Sequence, residues 1–167
     1  MRRDSVWADL GEAPLALTLK AISQLAKRVQ DAPNSTTLEE FEQTYTDDGW
    51  RIDSLFIDIL KSFESSEARK LLTPVLQSIY LPWLERSSTA LQACISSGDY
   101  SPKYLEMAPE GTCYLFVDGL RFDLAKQIEE ALHKKGFTTS NSPQWGALPS
   151  ITATAKPAVS PVREYFK

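Results

Sequence analysis

The chain has 167 residues, of which 43% are hydrophobic and 24% are charged, a composition typical of a folded globular protein rather than a disordered one. The formal net charge of −4 disfavours a stand-alone DNA-binding domain, which needs basic residues to neutralise phosphates. The sequence shows neither a signal-peptide pattern nor an apolar run of about 20 residues. We therefore expect a cytoplasmic protein that does not contact a membrane.

The two cysteines, Cys94 and Cys113, lie in apolar stretches and lack the CxxC spacing of many metal sites. A zinc site built on them would need further ligands, and the sequence offers one histidine and no third cysteine. We interpret both cysteines as buried free thiols in a reducing compartment.

Hydrophobic residues at helical spacing dominate the first hundred residues. A first helix is predicted from Pro14, which the first helical turn tolerates, to the neighbourhood of Asp31–Pro33. Its apolar face consists of Leu15, Leu19, Ile22, Ala26 and Val29. Thr37 and Glu40 have the spacing of a capping box, which predicts a short second helix containing Phe41 and Tyr45.

Two longer helices are predicted after a turn over residues 46–49. The most regular series in the sequence is Ile52, Leu55, Phe56, Ile59, Leu60 and Phe63, which predicts one amphipathic helix. Ser65 begins a further helical stretch that ends near Ser96–Asp99. Pro74 and Pro82 are expected to kink or divide it.

The pattern changes after a loop over residues 99–111. Residues 113–117 form a continuous apolar run, which predicts a strand buried on both faces of a parallel sheet. A helix over residues 121–135 follows, with Gly136 as its C-terminal cap, and residues 137–140 offer a return strand. The predicted fold is therefore mixed, with an α-helical region followed by the beginning of an α/β domain.

Two features of this second region carry residues suited to chemistry. Asp118 follows the predicted strand, where a carboxylate can face a ligand cleft and bind a divalent metal, although aspartate also commonly caps the following helix. Ser150, Thr152 and Thr154 follow Pro149, and a hydroxyl becomes a nucleophile when a base or metal stabilises its alkoxide. From the residues alone, helix capping is the favoured explanation of Asp118, and a Ser/Thr-rich turn with a helix cap is the favoured explanation of the hydroxyl segment.

Together these features resemble a known family. Phe116–Asp123 resembles the first metal-ligand motif of the alkaline phosphatase superfamily, and Ala147–Thr154 resembles its nucleophile segment. Within that superfamily the sequence is most similar to PglZ, the phosphatase-like protein of BREX phage-defence systems. Residues 6–11 and 45–53 resemble the helical region that precedes the PglZ domain. The chain is similar to an internal or truncated piece of such a protein, with residues 1–100 as the preceding region and residues 111–167 as an incomplete α/β domain.

The resemblance implies a metal-dependent phosphatase or phosphodiesterase. Asp118 would bind one of two divalent ions, zinc or manganese. Thr152 would be both a metal-site residue and the nucleophile, with Thr154 and Ser150 as alternatives. The substrate would be a phosphorylated protein, a nucleotide or a nucleic acid, and the partners would be other BREX defence proteins.

The sequence also departs from the family pattern. The family completes its metal site with further aspartate and histidine residues, whereas the single histidine here, His133, is predicted at a helix end away from Asp118. We therefore expect an incomplete active site and an inactive isolated chain. The alternative is a non-catalytic helical interaction module that docks other BREX components.

Overall fold

The computed structural model describes residues 14–30, 35–97, 100–101 and 109–160. The chain divides into two compact units, residues 1–99 and residues 100–167. Within the described part the regular elements are all helical, and none of these helices is both long and apolar enough to cross a membrane. The segment over residues 6–11, which contributed to the PglZ resemblance, lies outside the described residues.

The described part of the first unit contains four α-helices. They are α1 (Pro14–Arg28), α2 (Leu38–Thr44), α3 (Trp50–Lys61) and α4 (Ser66–Ser96). The predicted start of α1 at Pro14 is confirmed, and its predicted end near residues 31–33 falls outside the described part of the chain. Ser65 is the N-cap of α4, because its Oγ accepts a hydrogen bond of 3.0 Å from the Ala68 backbone N–H.

The predicted N-cap of α2, Thr37, is confirmed, but the Glu40 side chain bonds to a different residue from the one that a capping box predicts. Thr37 Oγ1 accepts a hydrogen bond of 3.2 Å from the Glu40 N–H, as in a capping box. The Glu40 carboxylate, however, accepts from the backbone N–H and the hydroxyl of Thr36, at 2.9 and 3.0 Å. These two bonds lower the pKa of Glu40, because they stabilise the ionised carboxylate.

The turn predicted over residues 46–49 is wrong. Tyr45–Gly49 is a π-helical turn that continues directly from α2 into α3. The Asp-Asp-Gly sequence is typical of a turn, but here side-chain hydrogen bonds stabilise the helical conformation. Tyr45 donates to the Asp53 carboxylate at 2.7 Å, and Gln43 donates to Asp47 at 2.7 Å.

The prolines do not divide α4, which is a single helix of 31 residues, and the prediction of a kink stays a prediction. Pro74 and Pro82 both lie on its exposed side. Each proline removes one backbone hydrogen bond, and water can satisfy the carbonyl group that is left on an exposed face.

The core of the first unit lies between α1, α3 and α4. Its fully buried members include Leu25, Ile59 and Leu76, one from each of these helices. The Phe56 and Tyr80 rings stack across α3 and α4 with 4.0 Å between their centroids. The periodicity of the sequence identified the buried face of α3, where Ile52 and Ile59 are buried, as is Phe63 just after the helix. The predicted apolar face of α1 is only partly correct, because Leu15 and Leu19 are 55% and 52% exposed.

The second unit contains no sheet in its described residues, so the predicted beginning of an α/β domain is wrong. Residues 112–117 have no regular secondary structure, and the side chains of this segment are exposed, Leu115 by 86%. Residues 137–140 are likewise not a strand. A strand requires backbone hydrogen bonds from a neighbour, and an apolar run alone does not supply that neighbour. Cys113 is consequently exposed rather than buried, whereas Cys94 is buried as predicted.

Among its described residues the second unit has two helices, α5 (Phe122–Lys134) and α6 (Thr152–Ala158). The predicted position of α5 is confirmed, and Gly136 follows it with a φ of +84°. This left-handed conformation allows the Phe137 N–H to donate to the Leu132 carbonyl at 3.1 Å and end the helix. Glycine suits this position because it has no Cβ to clash.

Candidate functional site

Asp118 lies in an exposed turn between the irregular segment 112–117 and α5. The next residue, Gly119, has a φ of +64°, a left-handed conformation that favours glycine. The N-cap of α5 is Arg121, so the interpretation of Asp118 as the cap of this helix is wrong. The Asp118 carboxylate is therefore available for contacts outside α5.

That carboxylate contacts α6. Lys156 Nζ lies 2.8 Å from Asp118 Oδ2, and the two side chains are 44% and 64% exposed. Lys156 lies four residues after Thr152, so the two residues share one face of α6, about 6 Å apart along the helix axis. The ion pair therefore brings Asp118 to the helix that begins with Thr152. Sequence reasoning missed Lys156, although its spacing from Thr152 could have identified it.

The three candidate hydroxyls differ in their contacts. Thr152 is the first residue of α6 and is exposed, and Ser150 is exposed just before that helix. The Thr154 hydroxyl donates to the Ile151 carbonyl at 3.2 Å and contacts the Pro149 carbonyl. Because its proton is engaged by the backbone, Thr154 is the least suited of the three to act as a nucleophile.

Asp123, within the segment that carries the resemblance, has a separate role. Its side chain is 2% exposed, and its two oxygens accept from Arg121 Nε at 2.9 Å and Arg121 Nη2 at 3.2 Å. A two-point pair of this kind fixes both side chains firmly. Asp123 therefore fixes the start of α5 through Arg121.

His133 lies in the last turn of α5, as predicted. Its ring nitrogen Nε2 forms a hydrogen bond with the Thr139 hydroxyl. Thr139 also donates to Glu129 at 3.4 Å, and Lys126 pairs with Glu129 at 2.9 Å. These contacts lower the pKa of Glu129, mainly through the hydrogen bond from Lys126. The described contacts give His133 a role at the end of α5 and none at Asp118.

The described residues do not by themselves fit the two-metal site that the resemblance implies. Asp118 supplies one carboxylate, and the cation within contact distance of it is Lys156. Over residues 14–160 where the structure is described, no group of three His, Cys, Asp or Glu side chains is placed to hold a metal. Zinc takes about four protein or water ligands, so Asp118 alone is not a sufficient site.

No protein-family model, curated protein or solved structure matches this chain. The roles of Asp118 and Thr152 therefore stay predictions that depend on the resemblance of their own sequence segments. The structure adds the contact of Asp118 with α6 and the differences among the three hydroxyls.

Proposed function

We propose that the chain is part of a PglZ-type phosphoesterase that acts in BREX phage defence in the cytoplasm. The observation that carries the proposal is the 2.8 Å ion pair between Asp118 and Lys156, because Lys156 shares a helix face with Thr152. The pair links Asp118 to the helix that begins with Thr152, which supports assigning both residues to one site. The proposal depends on the side chains of Asp118, Thr152 and Lys156, and it does not depend on the β-sheet that the sequence predicted.

Thr152 is the proposed nucleophile of this site. Its hydroxyl oxygen attacks phosphorus and loses its proton, a new P–O bond forms, and the ester bond to the leaving group breaks. The leaving oxygen takes up a proton, and water then cleaves the phosphothreonine to regenerate Thr152. Lys156 places a positive charge on the same helix face, where it can offset the negative charge of the phosphoryl group.

Thr152 is favoured over its alternatives by the hydrogen bonds of the segment. The Thr154 hydroxyl is engaged with backbone carbonyls, whereas Thr152 is exposed on the helix that contacts Asp118. Ser150 is also exposed but precedes α6. The substrate class is a phosphate ester of a protein, nucleotide or nucleic acid, all of which present the same tetrahedral group.

The proposal is tested by phosphate-ester hydrolysis with the protein expressed from its full reading frame. A chromogenic phosphodiester and a phosphomonoester are compared with zinc, with manganese and with a chelator, since the resemblance implies one of these metals. We expect metal-dependent turnover that Asp118→Ala and Thr152→Ala both abolish. Asp58→Ala, at an exposed position in the first unit, is the matched control and should keep wild-type turnover. Turnover that survives both site substitutions, or no turnover with either metal, would refute the proposal.

A second candidate function is a helical interaction module that docks other BREX proteins. It is favoured by Leu15 and Leu19, which are 55% and 52% exposed and lie one turn apart on α1. Co-elution with separately expressed BREX proteins tests it. The double substitution Leu15→Ser with Leu19→Ser should abolish a complex that Gln24→Ser, at an exposed polar position of α1, leaves intact. A complex that survives the double substitution would exclude this face.

A further inference from the structure

A pocket of about 450 Å³ lies within the first unit, between α1, α2, the π-helical turn, α3 and α4. Its volume is within the range of small-molecule sites, which run from roughly 300 to 1,000 Å³. Phe41, Ile52 and Trp83 supply apolar walls, and all three are buried. Two aromatic walls in a pocket of this size favour a ligand with a flat ring.

One polar group in this pocket has no partner. Ser87 lines the pocket and is 8% exposed, and its Oγ forms no hydrogen bond within the described structure. A buried hydroxyl without a partner destabilises a fold, and serine in a helix usually bonds to a preceding carbonyl instead. The Oγ atom has almost no solvent-accessible surface, so it can bond to a ligand only after the Ser87 side chain rotates towards the pocket.

The π-helical turn that forms part of the pocket lining is a second, independent sign of a site. Tyr45, Asp48 and Gly49 of this turn line the pocket. Helices of this type are rare and occur frequently at functional sites. A Cβ at Gly49 would lie 3.1 Å from Tyr45 Cδ2, so the small residue permits this packing beside the pocket.

The charges at the pocket favour a singly charged anion. Asp48 is paired with Arg28 at 2.6 Å and with Arg51 at 3.2 Å, so both guanidinium groups are already engaged. Lys27 also lines the pocket, is exposed, and has no ion pair among the described contacts. A single ammonium is matched by one carboxylate, whereas the arginine forks that could bind phosphate through two parallel hydrogen bonds are committed here to Asp48.

We propose that this pocket binds a small ring-containing carboxylate. The ring packs against Phe41 and Trp83, and the carboxylate approaches Lys27. The Ser87 side chain rotates towards the pocket, and its hydroxyl then forms a hydrogen bond with the ligand. The proposal is independent of the phosphoesterase function, since the pocket belongs to the first unit and Asp118 and Thr152 belong to the second.

The probe for this proposal is 2-naphthoate, titrated into the ¹⁵N-labelled full chain and followed by amide and indole NMR shifts. Its neutral analogue 2-naphthamide and its cationic analogue 2-naphthylmethylammonium have the same ring. We expect saturable shifts at the Ser87 amide and the Trp83 indole, with 2-naphthoate binding the tightest of the three. No saturable shift at these groups, or equal affinity for the cationic analogue, would overturn the proposal.

Substitutions of the two polar groups test their roles. Ser87→Ala should weaken 2-naphthoate binding about two- to tenfold by removing one hydrogen bond, without lowering the urea midpoint of the free protein. Lys27→Gln should weaken it about two- to fivefold and abolish the preference for 2-naphthoate over the amide. Ser88→Ala and Lys70→Gln, at exposed positions of α4, are matched controls that should bind like wild type. Wild-type affinity in both pocket variants would overturn the assignment.

Discussion

The hydroxyl of Tyr80 on α4 donates a 2.6 Å hydrogen bond to the Asp53 carboxylate on α3. The other oxygen of Asp53 accepts from Tyr45 of the π-helical turn at 2.7 Å. One carboxylate therefore joins three consecutive helical elements of the first unit beside its apolar core. Hydrogen bonds to a charged acceptor are stronger than neutral ones, so this contact stabilises the arrangement of α3 on α4.

Removing the Tyr80 hydroxyl tests this contact. We expect Tyr80→Phe to lower the free energy of unfolding by about 1.5–3 kcal/mol, the range for a bond to a charged group, as measured by urea unfolding. Asp53→Asn should also destabilise the protein, whereas Asp58→Asn removes only an exposed pair with Lys61 and should cost about 0–1 kcal/mol. Equal stabilities of the Asp53 and Asp58 variants would contradict the account.

The position of the core on α4 gives a second prediction. Leu76 is fully buried, so Leu76→Ala should lower the free energy of unfolding by about 2–5 kcal/mol through lost burial and a residual cavity. Leu71 lies on the same helix but is 70% exposed, and Leu71→Ala should change stability by no more than about 0.5 kcal/mol. Urea midpoints that rank the two variants in the opposite order would show that α4 faces the core differently.

Most of the helical structure was predictable because its determinants are local. The capping residues Thr37 and Ser65 each bond to a backbone N–H three residues later, and such pairs are visible in the sequence. The π-helical turn at Tyr45–Gly49 was not predictable in the same way, since its Tyr45–Asp53 bond depends on how α3 lies beside the turn.

The second unit shows more clearly what the sequence alone could not predict. An apolar run such as residues 113–117 has the composition of a strand, but a strand exists only where a neighbour pairs with it. In the described structure these side chains are exposed and no neighbour is present. The contact of Asp118 with Lys156 was also beyond local reasoning, because the two residues are 38 positions apart in the sequence (156 − 118 = 38). The sequence thus named Asp118 and Thr152 but not the lysine that links Asp118 to α6.

The cap of α2 predicts a pH dependence. The Thr36 N–H and hydroxyl hold the pKa of Glu40 below its ordinary value of 4.5, so the folded state favours the ionised form. This stabilisation is present above the unfolded pKa and is lost as pH falls through the lower folded pKa. Urea unfolding should therefore show wild type more stable than Glu40→Gln at pH 7, with the difference vanishing in acid.

Carboxyl NMR titration provides the direct measurement. Thr36→Ala removes the hydroxyl donor but keeps the backbone donor, so the pKa of Glu40 should rise only part of the way. An unchanged Glu40 pKa in this variant would show that the hydroxyl does not contribute.

The glycine that follows α5 gives a prediction about the stability of the second unit. Gly136 has a φ of +84°, and Gly136→Ala should destabilise the second unit by about 1 kcal/mol, because an alanine Cβ clashes in the left-handed conformation. Gly146 lies in the same unit, lacks a positive φ, and has open space where a Cβ would be. Gly146→Ala is therefore the control and should be close to neutral by thermal unfolding. Equal losses of stability in the Gly136 and Gly146 variants would contradict the assignment of Gly136 as the cap of α5.

The central claim is that Thr152 accepts the phosphoryl group, and trapping the phosphorylated protein tests it most directly. The protein from the full reading frame is mixed with a phosphomonoester and a divalent metal, quenched rapidly in acid, and mapped by peptide mass spectrometry. The account predicts one phosphoryl group on Thr152, which is absent in Thr152→Val and retained in Thr154→Val and Ser150→Ala. A phosphoryl group on Ser150 or Thr154, or turnover without any phosphorylated residue in this segment, would contradict it.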